Sequence, residues 1–165
     1  MGKVCAEYIV HPFEPLFCAD STTLILGTIP SPASRAAAFY YGHPRNRFWL
    51  ILSRIYGVPF PQTIDEKISL ILENKLALWD VLAGCRISGA EDGSIKDPKP
   101  NDFSSLIART KINRVLCNGQ KAYSLYTRFC HKQTGIDAVC LPSTSPANQR
   151  QTLDALAAIW KEAVS

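Results

Sequence analysis

The chain has 165 residues, of which 47% are apolar, and its 18 lysines and arginines exceed its 14 acidic residues by 4. This length and composition predict one globular domain over residues 1–165. The charged residues and prolines near the start exclude a signal peptide, and the chain lacks an 18-residue apolar run that could span a membrane, so we expect a cytoplasmic protein with no membrane association.

Four short apolar runs, each followed by small or polar residues, predict buried parallel strands at residues 23–26, 76–79, 114–117 and 138–141. Apolar residues at helical spacing predict amphipathic helices within residues 48–55, 64–72, 122–129 and 153–160. Thr63 and Glu66 form a capping box ahead of the second of these helices. The alternation predicts an α/β fold, a three-layer α/β/α sandwich with a central four-stranded parallel sheet.

Ligands bind such sheets in the crevice beyond the carboxyl ends of the strands. That rule selects residues 27–34, Asp80, residues 118–119 and residues 142–148. The long polar stretch at residues 84–101 is either a flexible flap over the crevice or a plain surface loop.

Residues 39–49 combine aromatic and polar side chains, and Gly42 and Pro44 break any regular period, which indicates a loop that receives a flat ring. The aromatic residues could instead belong to the core. Likewise, His43 could be an ordinary loop histidine, and Asn46 could simply cap the helix that follows.

Basic residues dominate two segments, because residues 21–64 and 103–136 contain no Asp or Glu. Together these segments could form a positive face suited to phosphates, or only a solvated surface without a partner. Six cysteines without a Cys-x-x-Cys pair predict buried free thiols and no metal site.

Six motifs, in this order, resemble the hypoxanthine-DNA glycosylase branch of the uracil-DNA glycosylase superfamily. They are Gly27-Thr28-Ile29-Pro30-Ser31, the aromatic block of residues 39–49, Leu78-Trp79-Asp80-Val81-Leu82, and the segments at residues 97–103, 117–122 and 141–148. The resemblance implies a monofunctional enzyme that needs no cofactor. It would flip a deaminated base, chiefly the hypoxanthine of deoxyinosine, out of DNA and hydrolyse its bond to deoxyribose.

The resemblance also implies roles for individual residues. Asn46 would position the attacking water, because Ile29 occupies the place where many relatives carry a polar residue for this task. Leu141, where uracil-preferring relatives carry His or Asn, argues against efficient uracil removal. Asp80 would accept the N1 hydrogen of hypoxanthine.

The expected substrate contacts are Gly27, Thr28, Pro30, Phe39, Tyr41, His43, Asp80 and Ser143, and the expected DNA contacts are Arg45, Arg47, Lys121, Ser145 and Asn148. The expected partner is DNA with deaminated bases, bound by a monomer. Two alternatives stay open, namely a catalytically silent DNA-binding relative and an α/β hydrolase of free nucleosides or nucleotides.

Overall fold

A four-stranded parallel sheet forms the centre of the protein in a computed structural model that describes residues 6–89 and 91–165. The strands of the described residues are β1 (Glu7–Val10), β2 (Thr23–Gly27), β3 (Leu76–Asp80), β4 (Leu82–Ile87), β5 (Lys96–Pro100), β6 (Arg114–Asn118) and β7 (Ala138–Leu141). The parallel sheet has the order β3-β2-β6-β7. All four predicted strands are therefore confirmed, each within one residue of the predicted bounds.

The α-helices of the described residues are α1 (Pro32–Ala37), α2 (Phe48–Tyr56), α3 (Ile64–Glu73), α4 (Ser104–Ala108), α5 (Gln120–Phe129), α6 (His131–Thr134) and α7 (Leu153–Val164), and a short 3₁₀ helix spans Asp92–Ser94. The four predicted helices correspond to α2, α3, α5 and α7. The predicted cap of α3 is present, since the Thr63 hydroxyl accepts a hydrogen bond from the Glu66 backbone N–H. The short helices α1, α4 and α6 had no sequence prediction.

Two apolar clusters pack on opposite faces of the parallel sheet. Alternation along β2 explains the division, because Ile25 points into one cluster while Leu24 and Leu26 point into the other. Residues of α2, α3 and α7 fill the first cluster, and residues of α4 and α5 belong to the second. The predicted three-layer sandwich is confirmed.

A second, antiparallel sheet of order β1-β4-β5 covers most of the stretch predicted to be a flap or a plain loop. Both interpretations of residues 84–101 were therefore wrong for β4 and β5. The sequence did not predict these strands because Gly84 interrupts the apolar pattern of β4, while β5 is polar and contains Pro98 and Pro100. Only Val81 separates β3 from β4, so the strand that ends at the crevice continues directly into the second sheet.

The segment of residues 11–16, which we call the strap, runs along the outer edge of β3. The His11 N–H donates to the Ala83 carbonyl at 2.7 Å, and Leu16 and Leu78 exchange two backbone hydrogen bonds of 2.9 Å each. These bonds hold the strap against the middle of β3 and the start of β4. The strap lies outside every predicted element.

Three of the five described cysteines, Cys85, Cys117 and Cys130, are buried free thiols as predicted, whereas Cys140 is exposed. Burial raises the pKa of the Cys117 thiol to about 12 and that of Cys130 to about 11. Cys5 lies outside the described residues. Within residues 6–89 and 91–165, no cluster of His, Cys, Asp or Glu side chains could hold a metal ion. No helix of this part of the chain is long and apolar enough to cross a membrane.

Candidate active site

A pocket of about 130 Å³ lies at the carboxyl ends of β2, β3 and β6, where the sheet topology predicts a ligand. Eight of the predicted site residues line it, namely Gly27, Thr28, Pro30, Tyr41, Asn46, Asp80, Ser143 and Ser145. The other six do not, namely Phe39, His43, Arg45, Arg47, Lys121 and Asn148. The pocket is small compared with sites for drug-sized ligands, which typically have roughly 300–1,000 Å³, and so suits a small, flat group.

Asp80 is the buried carboxylate of the pocket, with 4% of its surface exposed. Its Oδ2 atom lies 2.7 Å from His11 Nε2, and the His11 side chain is itself only 3% exposed. The Oδ1 atom makes no hydrogen bond to any described residue. Because Asp80 lines the pocket, Oδ1 is the oxygen available to a ligand.

Gly27 pairs with Asp80 across β2 and β3. A Cβ atom at position 27 would overlap Asp80 Oδ1 and lie 3.3 Å from the Tyr41 hydroxyl. Asp80 would have to move to make room, and its hydrogen bond to His11 opposes that movement. Glycine is therefore required because the carboxylate and the phenol occupy the space beside the strand end.

Asn46 lies just before α2 and reaches the pocket. Its Oδ1 accepts a hydrogen bond from the Phe48 N–H at 3.0 Å, which closes an Asx turn before the helix. The N-cap of α2 is Arg47, so the alternative of Asn46 as the helix cap was wrong. The same bond orients the carboxamide, since it identifies the acceptor oxygen and leaves the Nδ2 donors without a partner among the described residues. Asn46 also lines the pocket, so those donors and the second lone pair of Oδ1 are available to a water molecule.

Tyr41 stacks on Phe48 with ring centroids 3.9 Å apart and planes inclined by 24°. Its backbone is in the left-handed region, with φ of 53°, which is strained for an aromatic residue. The hydroxyl is buried without a hydrogen-bond partner among the described residues. Burial, assisted by the nearby charge of Asp80, raises the pKa of this phenol, so it stays neutral.

Phe39 and His43 lie outside the pocket for local reasons. Phe39 stacks on Trp49 with centroids 6.0 Å apart and packs against the core. His43 accepts a hydrogen bond at Nδ1 from the Arg45 N–H, a bond within its own loop. Their predicted substrate contacts are thus not supported by this arrangement, whereas the alternatives of a core aromatic and a loop histidine match it.

Asn118 and Thr144 fasten the loop after β7 to the end of β6. The Asn118 Nδ2 donates to the Thr144 hydroxyl and its Oδ1 accepts from the Thr144 N–H, both at 2.9 Å. The Thr144 carbonyl in turn accepts from the Arg47 N–H at 3.0 Å, beside Asn46. The sequence had indicated both regions as strand ends and Thr144 as one of several hydroxyls available to phosphates, but it had given no role to the Asn118 side chain.

The family of the chain follows from comparison with known proteins. The model of the family described as "Uracil DNA glycosylase superfamily" matches residues 14–164. The chain belongs to the uracil-DNA glycosylase superfamily.

Two relatives carry the name "Hypoxanthine DNA glycosylase". The protein of Methanosarcina barkeri is 36% identical over 156 residues, covering 92% of this chain and 95% of the relative. That of Methanosarcina acetivorans is 32% identical over 144 residues, covering 86% and 90%. A solution NMR structure from Methanosarcina acetivorans, provisionally described as a uracil DNA glycosylase, has a TM-score of 0.79 and 28% identity, covering 96% of this chain and all of that one. The resemblance inferred from the motifs is confirmed.

In this superfamily member, two of the predicted DNA contacts, Arg47 and Asn148, make hydrogen bonds that hold the loop at residues 143–151. Arg47 donates from its two terminal nitrogens to the carbonyls of Gln151 and Asn148, each at 2.9 Å. The Asn148 amide donates to the Ser143 carbonyl and to Gln151 Oε1. Arg45, in contrast, is exposed and free to meet a phosphate.

The glycosylase pocket also contains residues to which the sequence gave no individual role. Ser34 is buried and accepts a hydrogen bond from the Gly42 N–H, which positions the aromatic block. Ile87, Gly89 and Asp92 reach the pocket from the second sheet and the turn that follows it. Only the length and polarity of residues 84–101 gave a signal for these last three, and that signal suggested a flap rather than strands.

Replacing Thr144 with Val should lower the free energy of unfolding by about 1–3 kcal/mol, because it removes the hydroxyl and leaves the Asn118 Nδ2 group without its partner. Urea unfolding would measure the change. Thr22→Val is the matched control, since the Thr22 hydroxyl makes only one long bond of 3.5 Å to the Lys75 carbonyl. Equal stability of the two variants would contradict a structural role for the Asn118–Thr144 contact.

Proposed function

We propose that this protein is a monofunctional DNA glycosylase that removes hypoxanthine from deoxyinosine in DNA and leaves an abasic site. The names of the two relatives support this substrate, and membership of a superfamily of base-excision repair glycosylases supports the reaction. The observation that carries the proposal is the convergence of Asp80 and Asn46 on one pocket at the carboxyl ends of the strands.

The carboxylate of Asp80 suits the chemical difference between adenine and its deamination product. Adenine presents an unprotonated N1 that accepts a hydrogen bond, whereas hypoxanthine carries a hydrogen on N1 and donates one. A carboxylate accepts and does not donate, so Oδ1 of Asp80 favours hypoxanthine and opposes adenine. Tyr41, stacked on Phe48, forms an aromatic part of the same wall.

Asn46 would serve the hydrolytic step. Its free amide donors and remaining oxygen lone pair can hold a water molecule, but an amide is too weak a base to deprotonate it. The bond between C1′ and N9 must therefore break largely before attack, with its electron pair leaving on the base. The water oxygen then bonds to C1′, and its proton is released to solvent or to the departing base.

An oligonucleotide assay tests the proposed function. A duplex with one deoxyinosine is incubated with the protein, treated with alkali to cleave abasic sites, and compared with a duplex that has adenosine at that position. We expect cleavage at the inosine alone and no release of base from free deoxyinosine. Binding without cleavage would favour the silent DNA-binding relative, and activity on the free nucleoside would favour the metabolic hydrolase.

DNA binding should depend on salt through basic residues near the pocket. Arg45→Gln and Lys121→Gln should each reduce the magnitude of the slope of log K against log salt by about 0.9 on duplex DNA, for one lost phosphate contact. Lys75→Gln is the control, since Lys75 precedes β3 at the end of the sheet opposite the pocket. Fluorescence anisotropy at several salt concentrations measures the slopes, and unchanged slopes in both variants would place the basic face elsewhere.

The roles of Gly27, Thr28, Pro30 and Ser143 as base contacts and of Ser145 as a DNA contact are proposed on their position around the pocket. A monomeric state, a cytoplasmic location, a single domain over residues 1–165 and independence from a cofactor stay predictions from the sequence.

A further inference from the structure

His11 is a buried titratable residue that the chemistry above does not use. It belongs to the strap and lies 69 residues from Asp80 in the chain, yet its Nε2 atom is 2.7 Å from Asp80 Oδ2. Both side chains are at least 95% buried. A polar pair so enclosed needs a structural or functional reason.

The hydrogen bonds of the ring identify its tautomer. The Phe13 N–H donates to His11 Nδ1 at 3.1 Å, so Nδ1 is an acceptor and carries no hydrogen. The ring hydrogen of the neutral imidazole is then on Nε2, which donates to Asp80 Oδ2. Oδ2 is thus occupied as an acceptor, whereas Oδ1 has no partner among the described residues and is the oxygen available to the pocket that Asp80 lines.

The surroundings hold the ring in this orientation. The Phe13 ring packs edge-on against the His11 ring, with centroids 5.7 Å apart. The Tyr40 ring centroid lies 6.2 Å from that of His11, and the two ring planes are inclined by 48°. The His11 backbone is bonded to Ala83, close to the start of β4. The Tyr40 hydroxyl donates to the Glu14 carbonyl, which ties the strap to the aromatic block.

We infer that His11 is a positioning residue that sets base selectivity by holding Asp80 with one oxygen turned to the pocket as a hydrogen-bond acceptor. This inference rests on the proposed function. Without the Nε2–H donor, the Asp80 carboxylate can rotate, and its oxygens no longer hold a fixed direction toward N1 of the base. The selection of a protonated N1 over an unprotonated one then weakens, although the pocket and its aromatic walls persist.

Binding to DNA that cannot be cleaved separates selectivity from turnover. The probes are two duplexes that differ at one nucleotide, either 2′-fluoro-2′-deoxyinosine or 2′-fluoro-2′-deoxyadenosine, whose fluorine makes the sugar bond resistant to hydrolysis. The measured quantity is the ratio of the two dissociation constants. For His11→Phe we expect the preference for inosine to fall about 10- to 100-fold, the range for loss of a hydrogen bond to a charged group.

Three further variants sharpen the test. His11→Gln keeps a donor and should retain the wild-type preference within about threefold. His131→Phe is the matched control, since His131 and Asp137 form a His–Asp pair of the same 2.7 Å length at the surface, and it should change nothing. In an Asp80→Asn background, His11→Phe should cause no further loss of preference, because the acceptor oxygen that His11 keeps turned to the pocket is already absent. His11→Leu replaces His11→Phe if the latter fails to fold.

An equal loss of affinity for both duplexes in His11→Phe would overturn the inference, because a merely structural residue weakens both. An unchanged ratio would overturn it as well. Failure of the proposed function is a separate result, namely absence of hypoxanthine excision by the wild-type protein in the alkaline-cleavage assay.

Discussion

Asn46→Ala is expected to reduce single-turnover excision of hypoxanthine by about two to three orders of magnitude, the usual effect of losing one contact made in the transition state. The variant should remain folded. The bond from the Phe48 N–H to Asn46 closes an Asx turn before α2, and a single hydrogen bond of this kind contributes about 1 kcal/mol of the roughly 5–15 kcal/mol that stabilise a native domain. Quenched-flow or manual sampling with enzyme in excess over an inosine duplex measures the rate.

Asn46→Ser distinguishes the two roles of the residue. Serine can still accept the hydrogen bond from the Phe48 N–H, but it lacks the amide that reaches the pocket. We therefore expect it to unfold at the wild-type denaturant concentration and to excise as slowly as Asn46→Ala. Near-normal excision by either folded variant would contradict the assignment of Asn46 as the residue that positions water.

Asp80→Asn is expected to lower the excision of hypoxanthine about 100-fold and to reduce the preference for hypoxanthine over adenine. The His11 Nε2–H requires an acceptor, so the single oxygen of the new amide turns toward His11. The NH₂ group then faces the pocket and meets the N1 hydrogen of hypoxanthine as a second donor. A site built around a hydrogen bond to its substrate strongly rejects a ligand with which that bond cannot form.

Single-turnover rates on inosine and adenosine duplexes measure this effect, and circular dichroism verifies the fold. Faster excision by Asp80→Asn, the opposite outcome, would also have a physical explanation. The departing base is an anion, and a buried carboxylate nearby repels it, so faster excision by Asp80→Asn would mean that this repulsion outweighs base recognition. Asp137→Asn, at the exposed histidine pair, is the matched control and should excise at the wild-type rate.

The parallel sheet and its main helices were predictable because each carries a local signal. Strands such as β2 are continuous apolar runs, and helices such as α3 have both a period and a cap. The antiparallel sheet had no such signal. β1 is short and mostly exposed, β4 follows β3 after a single residue, and β5 has a polar, proline-containing sequence typical of an edge.

Prediction of the site succeeded where topology determines position. Gly27 and Asp80 end neighbouring strands, so they had to meet at the crevice. Tertiary contacts, which the sequence does not show, determine the rest of the arrangement. Arg47 lies in a basic segment typical of phosphate contacts, but its guanidinium donates hydrogen bonds to two backbone carbonyls. Similarly, no residue near His11 in the sequence indicates that its side chain contacts Asp80.

The strap has a practical bearing on how fragments of this chain are chosen. The region that matches the family begins at residue 14, two positions after the Pro12 that follows His11. A fragment trimmed to that boundary would keep every recognisable motif and the whole parallel sheet, but it would lack the imidazole that Asp80 contacts. Such a fragment would still match the family by sequence, but we expect it to discriminate less well between hypoxanthine and adenine. Fragments for expression or for domain exchange should therefore begin upstream of the strap.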